Sequence, residues 1–230
     1  MKIEAKKLSN FFKKFDSINT ECILNFDENG LKASTMTPSN IGRLDVTLNK
    51  TAFIEYNAIG KIGVQDINIL KNITAKFDKE IELIVEGNLL TLKEKGKKVE
   101  CELISVDFLT ECNEMKELDY TDKFDVGSDV IKTFIADANV NKEVNYVLKT
   151  TEKSFVLENT GKFKFNNNIE VPECVGGADS KYGELFSQVF ANITEDNVRL
   201  SLGENFPLKI LERSDDMIVS YIIAPIVSDN

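Results

Sequence analysis

The 230 residues contain no histidine. A zinc site of the usual spacing loses its commonest nitrogen ligand, and acid–base catalysis at neutral pH loses its usual proton carrier. The four cysteines, Cys22, Cys101, Cys112 and Cys174, are far apart and form no C-x-x-C pair, so they read as small buried or half-buried thiols. There is also no Walker-type glycine loop, and no paired-carboxylate spacing stands out from the general acidity. Neither a metal nor a cofactor is expected, and the chain is expected not to be an enzyme. The rival reading is a metal-dependent nuclease built on scattered carboxylates. Asp215-Asp216 reads as a turn and Gly176-Gly177 as a loop.

Long apolar runs are missing too. The longest candidate, MIVSYIIAPIV near the C-terminus, falls well short of the roughly 20 residues that cross a bilayer. The opening MKIEAKKLSN carries charge before any apolar stretch, which does not read as a signal peptide. The expectation is a protein that stays where it is made, without a membrane partner. Four prolines and twelve glycines leave no room for a long low-complexity linker. Positive charge is the scarcer sign, with 28 Lys and Arg against 38 Asp and Glu, a net −10. That balance excludes a uniformly basic surface, but not a basic lining on an otherwise acidic body. With 42% hydrophobic residues the chain can bury one large core or two of roughly 110 residues each.

The sequence states one pattern twice. Lys7 to Phe15 sets Leu8, Phe11, Phe12 and Phe15 at helical spacing, with Lys6, Lys7, Lys13 and Lys14 on the remaining face. Strand-like Glu21–Phe26, the turn signal Asp27-Glu28-Asn29-Gly30 and an alternating run from Leu31 to Met36 form a hairpin, and Arg43–Leu48 is a further strand. Asp66 can cap a second helix to about Phe77, with Ile69, Leu70, Ile73 and Phe77 as its apolar stripe. EIELIVEG and NLLTLKEK then make a hairpin about Gly87-Asn88, and KKVECELIS one more strand. From about Tyr120 the order restarts. Ser128 or Asp129 can cap a helix with Val130, Ile131, Phe134, Ile135 and Ala138 inward. Strands VNYVLKT and SFVLENT follow, then a helix from about Ser180 to Asn192, then NVRLSLGENFPLKILER, which parallels the first half's hairpin. The two copies lie roughly 115 to 125 residues apart. Each sets two helices on an antiparallel sheet, an α+β layer architecture. The division is 1–107 and 120–230, joined by an extended connector over 108–119.

Several segments resemble PCNA-type DNA sliding clamps. SYIIAPIV, Ser220 to Val227, is similar to that family's Tyr-Tyr-Leu-Ala-Pro-Lys-Ile ending, and LSLGENFPLKILER to its preceding strand, with Pro207 and Pro225 fitting the spacing. ENGLKASTMTPSNIGRLDVTL resembles the segment that carries Met-Asp-Pro-Ser, and IGVQDINILKNI the start of the second helix. The likeness is colinear from about Lys7 to Val227 and includes the duplication. It implies two equivalent clamp domains and a three-protomer ring, homotrimeric or heterotrimeric, around duplex DNA. Such a ring serves DNA polymerase, a clamp loader, and enzymes such as ligase or flap nuclease. The place of work it implies is the nucleoid-bearing cytoplasm in an archaeal or viral setting and the nucleus in a eukaryotic one.

By the same resemblance, residues take roles. The DNA-facing helices offer Lys6, Lys13 and Lys14 on the first, Lys71 on the second, Lys132 on the third and Lys181 on the fourth, so the second copy's lining is thin. Read without the resemblance, these lysines solvate exposed helix faces. Client peptides map to Met36, Asn40, Ile41, Pro207, Ile222, Ala224 and Pro225, with Leu109, Met115 or Leu118 in the connector where the family has Leu-x-Ile. Ile222 stands where many members have tyrosine. Ring closure maps to two edge strands, Val99 to Ser105 (Val99, Cys101, Leu103) and Phe163 to Asn168 (Phe163, Phe165). The alternative function is a non-encircling processivity factor or recruitment hub, monomeric or viral.

Overall fold

A computed structural model describes residues 1–142 and 144–227. The chain divides into two compact units. The first comprises Met1–Pro38, Arg43–Asn113 and Ser214–Val219, and the second Ser39–Gly42, Glu114–Arg213 and Ser220–Asn230.

In the first unit the order is β1 (Lys2–Glu4), α1 (Ala5–Lys13), β2 (Cys22–Asp27), β3 (Gly30–Met36), β4 (Gly42–Asn49), β5 (Phe53–Glu55), β6 (Gly60–Val64), α2 (Ile67–Thr74), β7 (Glu80–Glu86), β8 (Leu89–Glu94) and β9 (Lys97–Glu102). Two antiparallel sheets result, ordered β5-β1-β7-β8-β9 and β4-β3-β2-β6. The second unit repeats the plan with β10 (Asp122–Gly127), α3 (Ser128–Ala138), β11 (Tyr146–Thr151), β12 (Ser154–Asn159), β13 (Asn166–Glu170), β14 (Asp179–Tyr182), α4 (Leu185–Asn192), β15 (Asn197–Leu202) and β16 (Leu208–Arg213). Its strands run β10-β15-β16 and β13-β12-β11-β14. The last strand, β17 (Met217–Ile223), is divided between the units. The architecture is thus α+β and mixed with antiparallel sheet, as the periodicity predicts. Among the described residues, β5 is the strand without a counterpart.

Turn chemistry places the hairpins. Gly30 (φ 141) closes the β2–β3 turn, where a Cβ would meet the Leu48 carbonyl oxygen at 2.2 Å, and the Asp27 carboxylate accepts from the Asn29 amide at 2.8 Å. Gly87 (φ 60) opens the β7–β8 turn. Both are left-handed positions that a side chain would strain.

The helices depart from expectation in detail. Asp66 caps α2 by accepting from the Asn68 amide at 2.9 Å, but the buried stripe is Ile67, Leu70 and Thr74, and Ile69 is 52% exposed. The i, i+3, i+7 set begins two residues earlier than the sequence stripe, at Ile67, which turns Ile69 to solvent. On α3 the capping position is Gly127 and no side chain caps it. Ser128 instead sends its hydroxyl to the Glu195 carbonyl at 2.7 Å. The fourth helix is shorter than predicted, because Asp179–Tyr182 is the strand β14 and only Leu185–Asn192 is helical. Gly183 separates the two, at the point where the period changes from 2 to 3.6.

The cores differ in texture. In the first unit Phe11 packs against Phe12 and Phe15 at centroid distances of 5.5 and 5.6 Å among buried aliphatics such as Leu8, Ile81 and Leu83. In the second, Phe186 is the hub of an aromatic cluster, with Tyr146 at 5.0 Å, Phe190 at 4.9 Å and Tyr182 at 6.5 Å.

Candidate functional site

The polar faces of the helices come first. In α1 the buried side chains are Ala5, Leu8, Phe11 and Phe12, and Lys6 and Lys13 are exposed. At about 100° per residue, Lys6, Lys13 and Lys14 all fall toward the side opposite the apolar stripe and Lys7 nearer its flank. Lys7 forms an ion pair with Asp216 at 2.6 Å. Lys14 follows the last residue of α1 as its C-cap and is fully buried. It therefore leaves the set of side chains able to meet a phosphate, because the helix whose wheel would expose it ends at Lys13. On α2, Lys71 is tied to Asp16 at 2.6 Å.

In the second unit the lysines are engaged or face elsewhere. Lys132 donates to the Ile193 carbonyl at 2.9 Å. Lys181 is on β14 and not on a helix. Its neighbours Ser180 and Tyr182 are buried, and the Tyr182 ring stacks on Phe186 of α4, so Lys181 points from the sheet face opposite the helices. The helical period begins only at Leu185, so Lys181 lies outside it. The exposed positions on α3 and α4 are Asp129, Thr133, Ala136, Asp137, Gln188 and Ala191, which carry no positive charge.

Among the strands that end sheets in the described residues are β9 and β13. β9 pairs only with β8 at one end of the five-stranded sheet, and β13 only with β12 at one end of the four-stranded sheet. Val99 and Cys101 occupy one half-buried face of β9, and Leu103 lies just past it, its amide donating to the Asn88 carbonyl at 2.7 Å. Phe163 and Phe165 precede β13 instead of forming part of it. Asn141 brackets Phe163, accepting from its amide at 2.9 Å and donating to its carbonyl at 3.0 Å, while Asn159 accepts from the Phe165 amide at 2.6 Å. These asparagines satisfy the backbone that an extended strand would have left open, which is why the strand begins three residues late. The result is a fixed turn presenting a 56% exposed Phe163 between Lys162 and Lys164.

The client-peptide residues are distributed. Met36, half-buried at the end of β3, and Leu109 belong to the first unit. Asn40, Ile41, Met115, Pro207, Ile222, Ala224 and Pro225 belong to the second. There the Ala224 amide donates to the Ile41 carbonyl at 2.8 Å, joining the 39–42 segment to the C-terminal one. Ile41 is 49% exposed, Met115 39%, and Ile222, Ala224 and Pro225 are half-buried. Asn40 has φ 57, a left-handed conformation asparagine tolerates, and it turns the chain into Ile41.

One group escaped the sequence reading. Arg43 on β4 donates through Nε and Nη2 to both oxygens of Asp45 at 2.8 and 2.7 Å, and through Nη1 to the Asn113 carbonyl of the connector at 2.7 Å. Asp45 also accepts from the Ser34 hydroxyl at 2.6 Å. Two positions before it, Glu111 pairs with Lys61 at 2.5 Å. The Asp45 bond, opposed by burial, holds the Arg43 guanidinium more basic than usual. An Arg-x-Asp on one strand face was the available signal; its connector partner was not visible. Among the described residues no group of three or more Cys, Asp or Glu could hold a metal ion, and no helix is long and apolar enough to cross a membrane.

Two units of this topology, with two helices and antiparallel sheet in each, define a sliding-clamp fold. A solved structure of the C-terminal region of FEN-1 bound to A. fulgidus PCNA matches with a TM-score of 0.89 and 21% identity, covering 100% of this chain and 98% of that one. PCNA from Entamoeba histolytica matches at 0.83 and 17% identity, over 98% of each chain. Among curated proteins, the DNA polymerase sliding clamp of Methanococcus maripaludis is 26% identical over 226 residues, 89% of each chain, and that of Halobacterium salinarum 23% over 242 residues, 99% of this chain and 98% of that one. No protein-family model matches. The chain is thus similar over nearly its whole length to PCNA-type clamps.

Proposed function

We propose that the chain is a DNA sliding clamp, which closes with further copies into a ring around duplex DNA and holds replication and repair enzymes by short hydrophobic peptides. The observation that carries this reading is the likeness to PCNA over the entire chain. It acts by tethering and not by bond-breaking chemistry, beside the DNA of the cell that makes it. Lys6 and Lys13 would meet phosphates without reading bases, which permits sliding. The second unit's residues around Ile41, Ala224 and Pro225, with Met115, would take the peptide's apolar side chains.

Ring closure would use two of the sheet edges, β9 and β13. Run antiparallel with Glu102 opposite Asn166, β9 and β13 bring like faces together: Val99 and Cys101 oppose Ile169 and Asn167, and Lys98 opposes Glu170. Lys164 is then within diagonal reach of Glu102. A parallel pairing would set Lys97 and Lys98 against Lys162 and Lys164, a like-charge arrangement that destabilises. The two edges suit one another, so a second copy of the same chain fits.

Light scattering on the purified chain should return about three times the 25.9 kDa chain mass. Lys162→Glu with Lys164→Glu should leave monomers, and adding Glu100→Lys with Glu102→Lys should restore the assembly. Rings should stay on nicked circular DNA and leave it on linearisation. The alternative, a non-encircling hub, is favoured by the absence of positive charge on the exposed α3 and α4 positions. It calls for a monomer at all concentrations and equal retention on circular and linear DNA.

A further inference from the structure

We infer that Arg43 is a positioning residue, a latch that fixes the connector against the first unit and so sets the geometry of the strap that client peptides meet. The connector is mostly exposed from 110 to 119 and forms no helix or strand of its own. A strap of that kind has many conformations to lose on binding unless something holds it beforehand. Arg43 is built to do so. Its side chain is only 12% exposed, so most of its desolvation cost is met within the fold, and three of its donors are directed.

The latch is a chain of fixed links. Leu44 and Val46 are buried, which turns Arg43 and Asp45 together to the other face of β4, and Ser34 lies directly opposite Asp45 on β3. The Ser34 hydroxyl orients the carboxylate, the carboxylate grips the guanidinium by two bonds, and the third donor reaches the Asn113 carbonyl 70 residues away in sequence. A planar fork is what this arrangement needs, and lysine could not supply it. The Lys61–Glu111 pair is more open, with side chains 43% and 62% exposed, and acts as a weaker second tether. Cys112 lies between the tethered positions and is half-buried, with the neighbouring Arg43 charge opposing the rise that burial imposes on its thiol.

The test is thiol labelling of Cys112 on the full chain in a Cys101→Ser background, with hydrogen–deuterium exchange as the check on the fold. Arg43→Met and Arg43→Lys should each speed labelling of Cys112 by about tenfold, the loss of one charge-assisted hydrogen bond. Amides of β2 and β3 should keep their protection. Asp45→Asn, which leaves Arg43 but loosens its grip, should give a smaller rise and covers the case in which Arg43→Met fails to fold. Unchanged Cys112 labelling in an intact Arg43→Lys protein overturns the latch. The consequence for clients rests on the peptide-docking reading above: a labelled peptide of the FEN-1 C-terminal region should bind Arg43→Lys about tenfold more weakly than wild type. If wild type itself does not bind that peptide, the docking reading falls, while the Cys112 labelling result still decides the latch.

Discussion

The two units carry the same order of strands and helices, yet they present opposite helix surfaces. In the first, Lys6 and Lys13 stand exposed on α1; in the second, the exposed positions of α3 and α4 are acidic, neutral or alanine. The buried pattern has been kept and the exposed one has not. Physically the two are under different constraint, because a core position loses several kcal/mol when altered while an exposed helix position away from caps and pairs loses about 0.5 kcal/mol or less. Resemblance in fold therefore says little about charge on a given face, and each helix face has to be read residue by residue.

The largest effects lie in the cores. Phe186→Ala should destabilise the second unit by about 3–5 kcal/mol, since the ring is fully buried among Tyr146, Tyr182 and Phe190 and leaves a cavity. Phe11→Ala should cost the first unit a similar amount. Urea unfolding followed by exchange mass spectrometry would assign each loss to a unit. Protection lost equally in both units from either substitution would mean that they unfold as one body, and the comparison between them would then lose its energetic meaning.

Next comes the charge asymmetry. Lys6→Glu with Lys13→Glu should lower DNA retention at least tenfold and reduce the salt dependence of binding by about two phosphate contacts per chain, each worth about 0.9 in the log–log slope. Lys132→Met and Lys181→Met should leave that slope unchanged, because Lys132 is bonded to Ile193 and Lys181 lies on the far sheet face. Thr133→Lys with Gln188→Lys should raise it. A fall for Lys132→Met as large as for the Lys6 and Lys13 pair would remove the asymmetry.

What the sequence disclosed divides along the same line. Hairpins were legible at Asp27–Gly30 and Gly87-Asn88 because turn chemistry is local, and the duplication was legible because buried periodicity repeats. Lys14 departs from the wheel because α1 ends at Lys13, and at the C-cap, where the helical period no longer applies, its side chain is fully buried. Lys181 was misread because an apolar run crossing Gly183 satisfies one period before it and another after it. Phe163 and Phe165 were placed in a strand that begins only at Asn166, since nothing local announces that Asn141 will reach across to hold them. The Arg43 latch lay beyond reach for a related reason: its anchor on Asp45 is local, but Asn113 is brought to it only by the fold.

The smallest effect tests whether helix starts follow the same division. On α2 the Asp66 carboxylate satisfies the Asn68 amide, so Asp66→Ala should cost about 1 kcal/mol. On α3 the equivalent position is Gly127, with φ −62 and no capping side chain. Glycine at this position is only a few tenths of a kcal/mol poorer than serine, so Gly127→Ser should gain no more than that. A new Cβ there would come within 2.7 Å of the Asp129 carboxylate, the far end of a flexible side chain that can swing away. Thermal unfolding of the two variants side by side measures both. A gain near 1 kcal/mol at Gly127 would mean that α3 starts under strain which α2 does not share, and the two units would then differ in their framework as well as on their surfaces.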